Sequence, residues 1–596
     1  MKYIKKGNEP DSLTEHRSHP CSTYDNYQRK DELREYLAGE QGNICCYCMQ
    51  PIEPNQKKYE EIILQEKTMR HFHSYGPVDC RHHFCVERRY LIEKCTEQLV
   101  GIPEEGGHYF TIWASRQAGK TWLMRQVVKK IKAEYGDRFQ IGMLSVQGVV
   151  MEDEDHEDKF LEEIPMLLYE GFFMKNIPVP ENWNSFRTIF DRNSDLFDTP
   201  LILFIDEFDS LPLHVIDRLV TMFRDIYLKR ENYLLHGLAL IGVRAVLGVG
   251  SRRGSPFNIQ RALNVPNLTR DETGELFFQY QRESGQKIDP EVVENVFRKT
   301  KGQPGLVSWF GELLAEKYNP GSDKIIDSET WETVWLNARL AEPNNTVLNL
   351  IAKAQLPEYR EILMAVFSQA DVPFAFHDPV CNYLFLNGII ESYDVREKSG
   401  KVCKYCRFSS PFVQECIHSA LGMEMMRTLP VRALDPLDDL SDVLDVPELN
   451  LPALMDRYQD YLRRLKAAGH EIWKDRPLRA DLRIREALGH FHLYAWLCNA
   501  LGRDCAVTPE FPTGNGQVDI HIRCDGKEGI IEVKSFSNLR QIKKAKKQSA
   551  EYAAGLGMNA VTVVVFISDA DENILEKISS EEVTDSIRVT VRAIGI

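Results

Sequence analysis

Five apolar residues in a row, Leu201 to Ile205 in "TPLILFIDEFDSLP", run directly into Asp206 and Glu207. A strand with one wet face alternates apolar and polar residues. An unbroken apolar run reads instead as a parallel strand buried on both faces beneath helices. Acids at the end of such a strand stand where open α/β sheets take their ligands, at the carboxyl ends of the strands. The stretch therefore asks for an α/β sheet and for charge chemistry at its edge.

"HYFTIWASRQAGKTWLMRQVVKKIKAEY" supplies a partner for those acids. Phe110 and Ile112 mark a strand, and Leu123, Val127, Val128 and Ile131 recur at helical spacing. Between them "ASRQAGKT" fits the phosphate-binding loop pattern G-x-x-x-x-G-K-[ST] at Gly119, Lys120 and Thr121, with Ala114 in place of the first glycine. Backbone N–H groups of such a loop, Gln117 and Ala118 included, would hold phosphate oxygens together with the helix N-terminus. Lys120 would reach the β- and γ-phosphates, and Thr121 and Asp206 would hold Mg²⁺. Glu207 is placed to orient or deprotonate an attacking water. ATP and Mg²⁺ are the cofactors expected. A bare GKT triplet arises by chance and a strand can end in solvated acids, but the two motifs in this order argue for one site.

A further strand, "GLALIGVR", ends in Arg244, which would sense the γ-phosphate or simply be a solvated strand-end cation. "KGQPGLVSWFGELLAEKY" opens an amphipathic helix with Gly302, Pro304 and Gly305. With that arginine and that G-x-P motif, residues 71–425 resemble the STAND-like branch of P-loop ATPases. Periodicity alone gives helices and then a hairpin for "EILMAVFSQADVPF" and "YLFLNGIIESYDV"; the resemblance implies a winged helix there and a nucleotide-controlled conformational switch.

The second charged constellation is "GQVDIHIRCDGKEGIIEVKSF". Val518, Ile520 and Ile522 alternate with Asp519, His521 and Arg523, as in a half-buried strand. Asp525-Gly526 signals a two-residue hairpin loop, and counting from it sets Asp519 opposite Glu532, with Lys534 on the same face. Like charges opposed on a sheet need a reason, and a bound cation is one. The flanks are a helix, "RADLRIREALGHFHLYAWLCNAL", with Leu488, Phe491, Leu493 and Trp496 toward a core, a basic helix, "LRQIKKAKKQSAEYAAGLG", and a buried strand, "AVTVVVFI". This order with D…E-x-K resembles the PD-(D/E)XK nucleases, and the whole of residues 70–596 resembles prokaryotic AAA-like ATPases carrying that nuclease at the C-terminus. The resemblance implies that Asp519, Glu532 and the Val533 carbonyl hold Mg²⁺, that Lys534 acts on the nucleophile or the developing charge, and that Glu486 and Gln548 support them. Lys543, Lys544, Lys546 and Lys547 would meet a phosphate backbone, so DNA is the expected partner. The plainer alternative is a surface hairpin with a Glu–Lys pair, or a nuclease fold without activity.

"MKYIKKGNEPDSLTEHR", "TYDNYQRKDELREYL" and "GNICCYCMQPI" resemble the start of the HNH endonucleases of retron and Septu defence systems, without the histidine segment that HNH chemistry needs. The resemblance implies a truncated relic, or a docking arm for a protein partner. Cys45 and Cys48 form a C-x-x-C that only Cys80, His82, His83 and Cys85 could complete as a zinc site; Cys403 and Cys406 form another. Free thiols are the simpler reading of both pairs, and the 14 cysteines, spread without a disulfide-like framework, read as mostly free thiols. No signal-peptide pattern or membrane-length apolar run is present, which reads as a cytoplasmic protein. A net charge of -15 excludes a DNA-coating protein but not a local basic groove.

The expected organisation is an α/β multidomain chain: an HNH-like segment at 1–56, a connector at 57–70, a P-loop ATPase with helical lid at 71–340, a winged-helix-like region at 341–430, an acidic spacer at 431–452 and a nuclease-like domain at 453–596. The function read from this is an ATPase coupled to a Mg²⁺-dependent DNA endonuclease in prokaryotic defence or mobile-element biology. Two readings compete: a nucleotide-switched binding module with an inactive nuclease fold, and a self-associating ring motor with Arg252 or Arg253 as the arginine supplied in trans.

Overall fold

In the computed structural model, strand Leu201–Asp206 is buried at every position. Leu201, Leu203 and Ile205 enter one core, and Ile202 and Phe204 enter another on the opposite face. That two-sided burial is why the run is apolar throughout. Truncating Phe204 to Ala would cost about 3–5 kcal/mol. The structure describes residues 69–596 apart from 77, 175–176, 195, 243–260, 322, 369–371, 397–399, 428–430, 436, 471–481, 503–504, 510–518, 537 and 568–570. The HNH-like segment, most of the connector, Cys45, Cys48, Arg244, Arg252 and Arg253 fall outside them. So do the side chains of Glu486 and Asp519, whose backbones are described.

The first sheet comprises β1 (Tyr109–Trp113), β2 (Gln140–Ser145), β3 (Leu201–Asp206), β4 (Leu235–Gly242) and β5 (Arg261–Asn264), in the order β2-β3-β4-β1-β5. Every pairing is parallel. Helices α1 (Arg89–Val100) and α2 (Lys120–Tyr135) cover one face; α3 (Lys159–Phe172), α4 (Trp183–Thr188) and α5 (Leu213–Leu228) cover the other. Helices α6 (Arg270–Ser284), α7 (Pro290–Thr300), α8 (Pro304–Gly311) and α9 (Ser328–Leu340) follow, and α8 runs on into a π-helical turn at Glu312–Lys317.

Next come α10 (Asn345–Ala354), α11 (Pro357–Ser368), α12 (Pro379–Leu386), an antiparallel hairpin of β6 (Ile390–Arg396) and β7 (Val402–Phe408), and α13 (Pro411–Arg427). Cys403 and Cys406 are three apart on β7, so they point to opposite sides. Cys406 is buried with its Sγ 3.7 Å from that of Cys381, and Cys403 is half-exposed. The C-x-x-C spacing does not make a zinc pair here. Cys80 is disulfide-bonded to Cys85, which removes the thiolates that Cys45 and Cys48 would have needed. A second disulfide joins Cys505 and Cys524; the six other described cysteines form no disulfide.

The segment 431–452, read as a loose spacer, is packed down. It contains α14 (Ser441–Leu444) and leads into α15 (Leu451–Ala467). Leu440, Val443 and Leu451 are buried in the core of the second sheet. Arg457 holds Asp438 and Asp442, each at 2.6 Å, and Lys527 Nζ donates to the Leu444 carbonyl at 2.5 Å. Trp496 Nε1 donates to the Ala433 carbonyl at 2.9 Å.

The second sheet is built from β8 (Ala506–Pro509), β9 (Asp519–Cys524), β10 (Lys527–Ser535), β11 (Ala560–Ile567), β12 (Ser580–Thr584) and β13 (Ile587–Gly595), in the order β12-β13-β11-β10-β9-β8. Helix α16 (Leu482–Leu501) precedes it, α17 (Leu539–Gly555) lies between β10 and β11, and α18 (Glu572–Ile578) between β11 and β12. Leu488, Phe491, Leu493 and Trp496 are all buried, as their spacing predicts. Arg70–Ile596 forms one compact unit. No helix among the described residues is long and apolar enough to cross a membrane.

Candidate functional site

The loop after β1 carries two left-handed residues, Gln117 at φ 56° and Gly119 at φ 89°. Ala114 is not in that region: it is a buried residue at the end of β1, whose N–H donates to the Gly242 carbonyl at 3.3 Å. The glycine missing from the motif is therefore at a position with no conformational need for one. Lys120 Nζ donates to the Ala114 and Ser115 carbonyls, both at 3.0 Å, so the loop's own backbone holds the ammonium. Thr121 Oγ1 donates to Asp206 Oδ2 at 2.9 Å. One hydroxyl and one carboxylate thus meet where the two motifs converge, a hard-oxygen pair that fits Mg²⁺.

Glu207 takes a left-handed backbone, φ 55°, and its N–H donates to Asp206 Oδ1 at 3.0 Å. A non-glycine residue held there marks a turn fixed by its surroundings. Burial raises the Glu207 carboxyl above its ordinary range; Lys120 opposes this, while Asp206 and Asp209 add to it. Burial also lowers Lys120, against the pull of Glu207, Asp209 and Asp206. Both groups are desolvated and within each other's field, the arrangement expected of a site that holds a charged ligand.

The lid closes directly on the loop. Gln303 Nε2 donates to the Arg116 carbonyl at 3.1 Å, and the Gly305 N–H to the Gln117 carbonyl at 3.3 Å. A Cβ on Gly305 would lie 2.4 Å from Gln117 Oε1 and 2.8 Å from Gln117 Cβ, so only glycine permits this approach. The turn after α12 approaches from another side, where a Cβ on Gly388 would be 3.0 Å from Ser115 Cβ. Beside Ala118 and Gly119 lies a cavity of about 70 Å³ walled by Phe84, Cys85, Val86, Trp122 and Leu276. Sequence reasoning missed this wall and the Gln303 and Gly388 contacts; Gly302, Pro304 and Gly305 were the only signal of the lid.

In the second sheet, Asp525 and Gly526 form the two-residue turn, at φ 47° and 76°. The register sets Glu532 opposite Asp519 and Ile530 opposite His521. Glu532 is 1% exposed, and its Oε1 lies 2.9 Å from Lys534 Nζ. Val533 pairs with Val564 of the parallel strand β11. Gln548 is exposed on α17, one residue before the buried Ser549. Lys543, Lys544 and Lys547 are exposed, but Lys546 is turned aside: its Nζ donates to Ser580 Oγ at 2.9 Å and pairs with Glu582 at 3.1 Å. Among the described residues no group of three or more His, Cys, Asp or Glu side chains gathers as a metal cage.

Comparison with known proteins adds family evidence for the first site. A family described as "AAA-like domain" matches residues 73–365, and one described as a domain of unknown function matches 466–569. Residues 73–365 are thus AAA-like, in keeping with their loop and parallel sheet. No curated protein matches the chain. Solved structures similar to it include Aeropyrum pernix Orc1 in complex with DNA (14% identity, 58% of this chain and 94% of that one, TM-score 0.29). Cdc6p from Pyrobaculum aerophilum gives 14% identity over 59% and 98%, with a TM-score of 0.33. The Thermotoga maritima RuvB Holliday junction branch migration motor gives 14% over 53% and 92%, with a TM-score of 0.30.

Proposed function

We propose that this chain is an ATP-hydrolysing switch coupled to a Mg²⁺-dependent DNA endonuclease. The observation that carries the nuclease half is the register of Asp519 against Glu532, with Lys534 at 2.9 Å from Glu532 on a sheet flanked by α16 and α17. The reading is supported by the succession α16, β9, β10, α17, β11, which the resemblance to PD-(D/E)XK nucleases implies, although an additional strand, β8, stands between α16 and β9.

At the first site, Lys120, now held by two loop carbonyls, would serve the β- and γ-phosphates, and Arg244 would sense the γ-phosphate. Thr121 and Asp206 would hold the Mg²⁺, which would offset phosphate charge. Glu207 orients the attacking water and accepts its proton; the desolvation that raises its carboxyl makes it a stronger base than an exposed glutamate. Gln303 and Gly305 couple the lid to the loop, so phosphate state is read as lid position.

At the second site, Asp519, Glu532 and the Val533 carbonyl would hold Mg²⁺, which would activate water and stabilise the transition state. Lys534 leaves Glu532 to meet the charge that develops on the scissile phosphate. Glu486 and Gln548 support from the flanking helices. DNA contact is assigned to Lys543, Lys544 and Lys547. The helix-and-hairpin region, read as winged-helix-like, is a poorer candidate: α12 carries no Lys or Arg, and its Phe385 ring packs 6.1 Å from Trp113 of β1. A cytoplasmic place, a defence role and a partner at the N-terminal arm complete the reading.

The near-complete burial of Glu532 against Lys534 favours one alternative, a nucleotide-switched binding module whose nuclease fold is closed. Incubation with plasmid, linear and single-stranded DNA and with RNA, with Mg²⁺, with and without ATP, decides between them. Metal-dependent cleavage supports the nuclease; its absence on every substrate in both nucleotide states leaves the binding module.

A further inference from the structure

A second cavity, of about 440 Å³, lies away from both sites, between the lid helices α8 and α9 and the helices α10 and α13. Its walls are mostly apolar, with Leu348 and Met423, 52% and 48% exposed, at the mouth. Its volume falls in the range of small-molecule sites.

The charges around it do not balance. Glu415 accepts from both Lys299 Nζ, at 3.0 Å, and Arg339, at 2.9 Å, so two cations share one carboxylate. Arg339 has a side chain only 12% exposed, and its Nε–H is buried with no partner. The other acids on the wall are already taken. Glu342 is held by Lys317 and the Tyr318 hydroxyl, both at 2.6 Å, and Glu424 by Arg360 at 2.6 Å. Arg427 stands exposed at the rim. A largely buried guanidinium that lines an apolar cavity, in a cluster where cations outnumber carboxylates, is a receptor for an anion.

We propose that this cavity binds a small amphipathic anion, with a carboxylate or phosphate head at Arg339 and an apolar body against Leu348, Ile351 and Met423. The place gives such a ligand leverage. Helix α13 is tied to the lid through Glu415 and to α16 through the ring of His418, 4.0 Å from that of Phe491.

The test uses calorimetric titration of the full-length protein with octanoate, octyl phosphate, octanol and inorganic phosphate. Saturable binding of at least one octyl anion, at least about ten-fold tighter than octanol and inorganic phosphate, is expected. Whichever anion binds tighter identifies the head group. Arg339→Lys keeps a cation for Glu415 but loses the planar, forked donors of the guanidinium, and Leu348→Glu sets a like charge at an exposed mouth position. Each should weaken the anion by about ten-fold or more, with melting temperature and ATP turnover unchanged in Leu348→Glu. Absence of saturable anion binding overturns the proposal. So does octanol or inorganic phosphate binding as tightly as the anions, or wild-type affinity in the Leu348→Glu protein.

Discussion

The two charged sites are built in opposite ways. The nucleotide site is assembled from segments far apart in the chain: the loop after β1, the acids after β3 and the lid at Gln303–Gly305 converge within hydrogen-bond distance. The C-terminal site is local. Asp519 faces Glu532 across one two-residue turn, and Lys534 is two positions further along the same strand. The first is held by many mutually confirming contacts. In the second, the described contact is the ion pair between Lys534 and Glu532, and the proposed cleavage would need a metal and substrate that draw Lys534 away.

Changing the water-orienting acid should break the first site with the largest effect. Glu207→Gln is nearly isosteric and leaves Thr121 and Asp206 in place. ATP turnover should fall by about 10²–10⁴-fold while nucleotide binding persists. Steady-state hydrolysis and a fluorescent-nucleotide titration check both halves; undiminished turnover would remove Glu207 from its role. Gly305→Ala probes the distributed assembly. Its Cβ would overlap Gln117, and overpacking of this kind costs about 1–3 kcal/mol. The lid should separate from the loop, and turnover should drop by about ten-fold or more at an unchanged fold. Equal kinetics would show that the lid contact is not coupled to hydrolysis.

The smaller effects sharpen the contrast. Because Glu207 is raised chiefly by burial, with Asp206 and Asp209 adding, it takes up its proton at a higher pH than an ordinary glutamate. Turnover is therefore lost as pH falls through that raised value. Asp209→Asn removes one raising charge, so the acid limb should move to lower pH; a pH–rate profile that stays put would contradict this assignment. A chain beginning at Met69 should keep ATPase and cleavage, since Arg70–Ile596 is a compact unit of its own. Loss of cleavage with ATPase intact would give the N-terminal arm a catalytic part.

Legibility followed locality. The two-faced burial of β3 and the Asp525-Gly526 register are written in neighbouring residues, and the sequence predicts both. Ala114 looked like a defect only because the motif pattern does not say which loop residues turn left-handed; Gln117 and Gly119 do. The segment 431–452 misled because its acids are answered from outside it: Arg457, Lys527 and Arg588 neutralise or cap it. Cys403 and Cys406 form neither a disulfide nor a zinc pair, in keeping with the simpler reading, because a C-x-x-C on a strand faces two ways, whereas on a turn it faces one. The Lys546 pairing with Glu582 likewise joins residues that no short window contains.

Whether the C-terminal site cuts DNA is the central question about this protein. The most direct measurement is Mg²⁺-dependent cleavage of plasmid DNA, with ATP turnover read in parallel, for wild type, Asp519→Ala and Lys534→Ala. Cleavage is expected from wild type and none from Asp519→Ala, with a strongly reduced rate but retained Mg²⁺ affinity for Lys534→Ala, and the same basal ATP turnover in all three. Cleavage by both variants at the wild-type rate would contradict this reading, and would leave Glu532 and Lys534 as a buried structural ion pair.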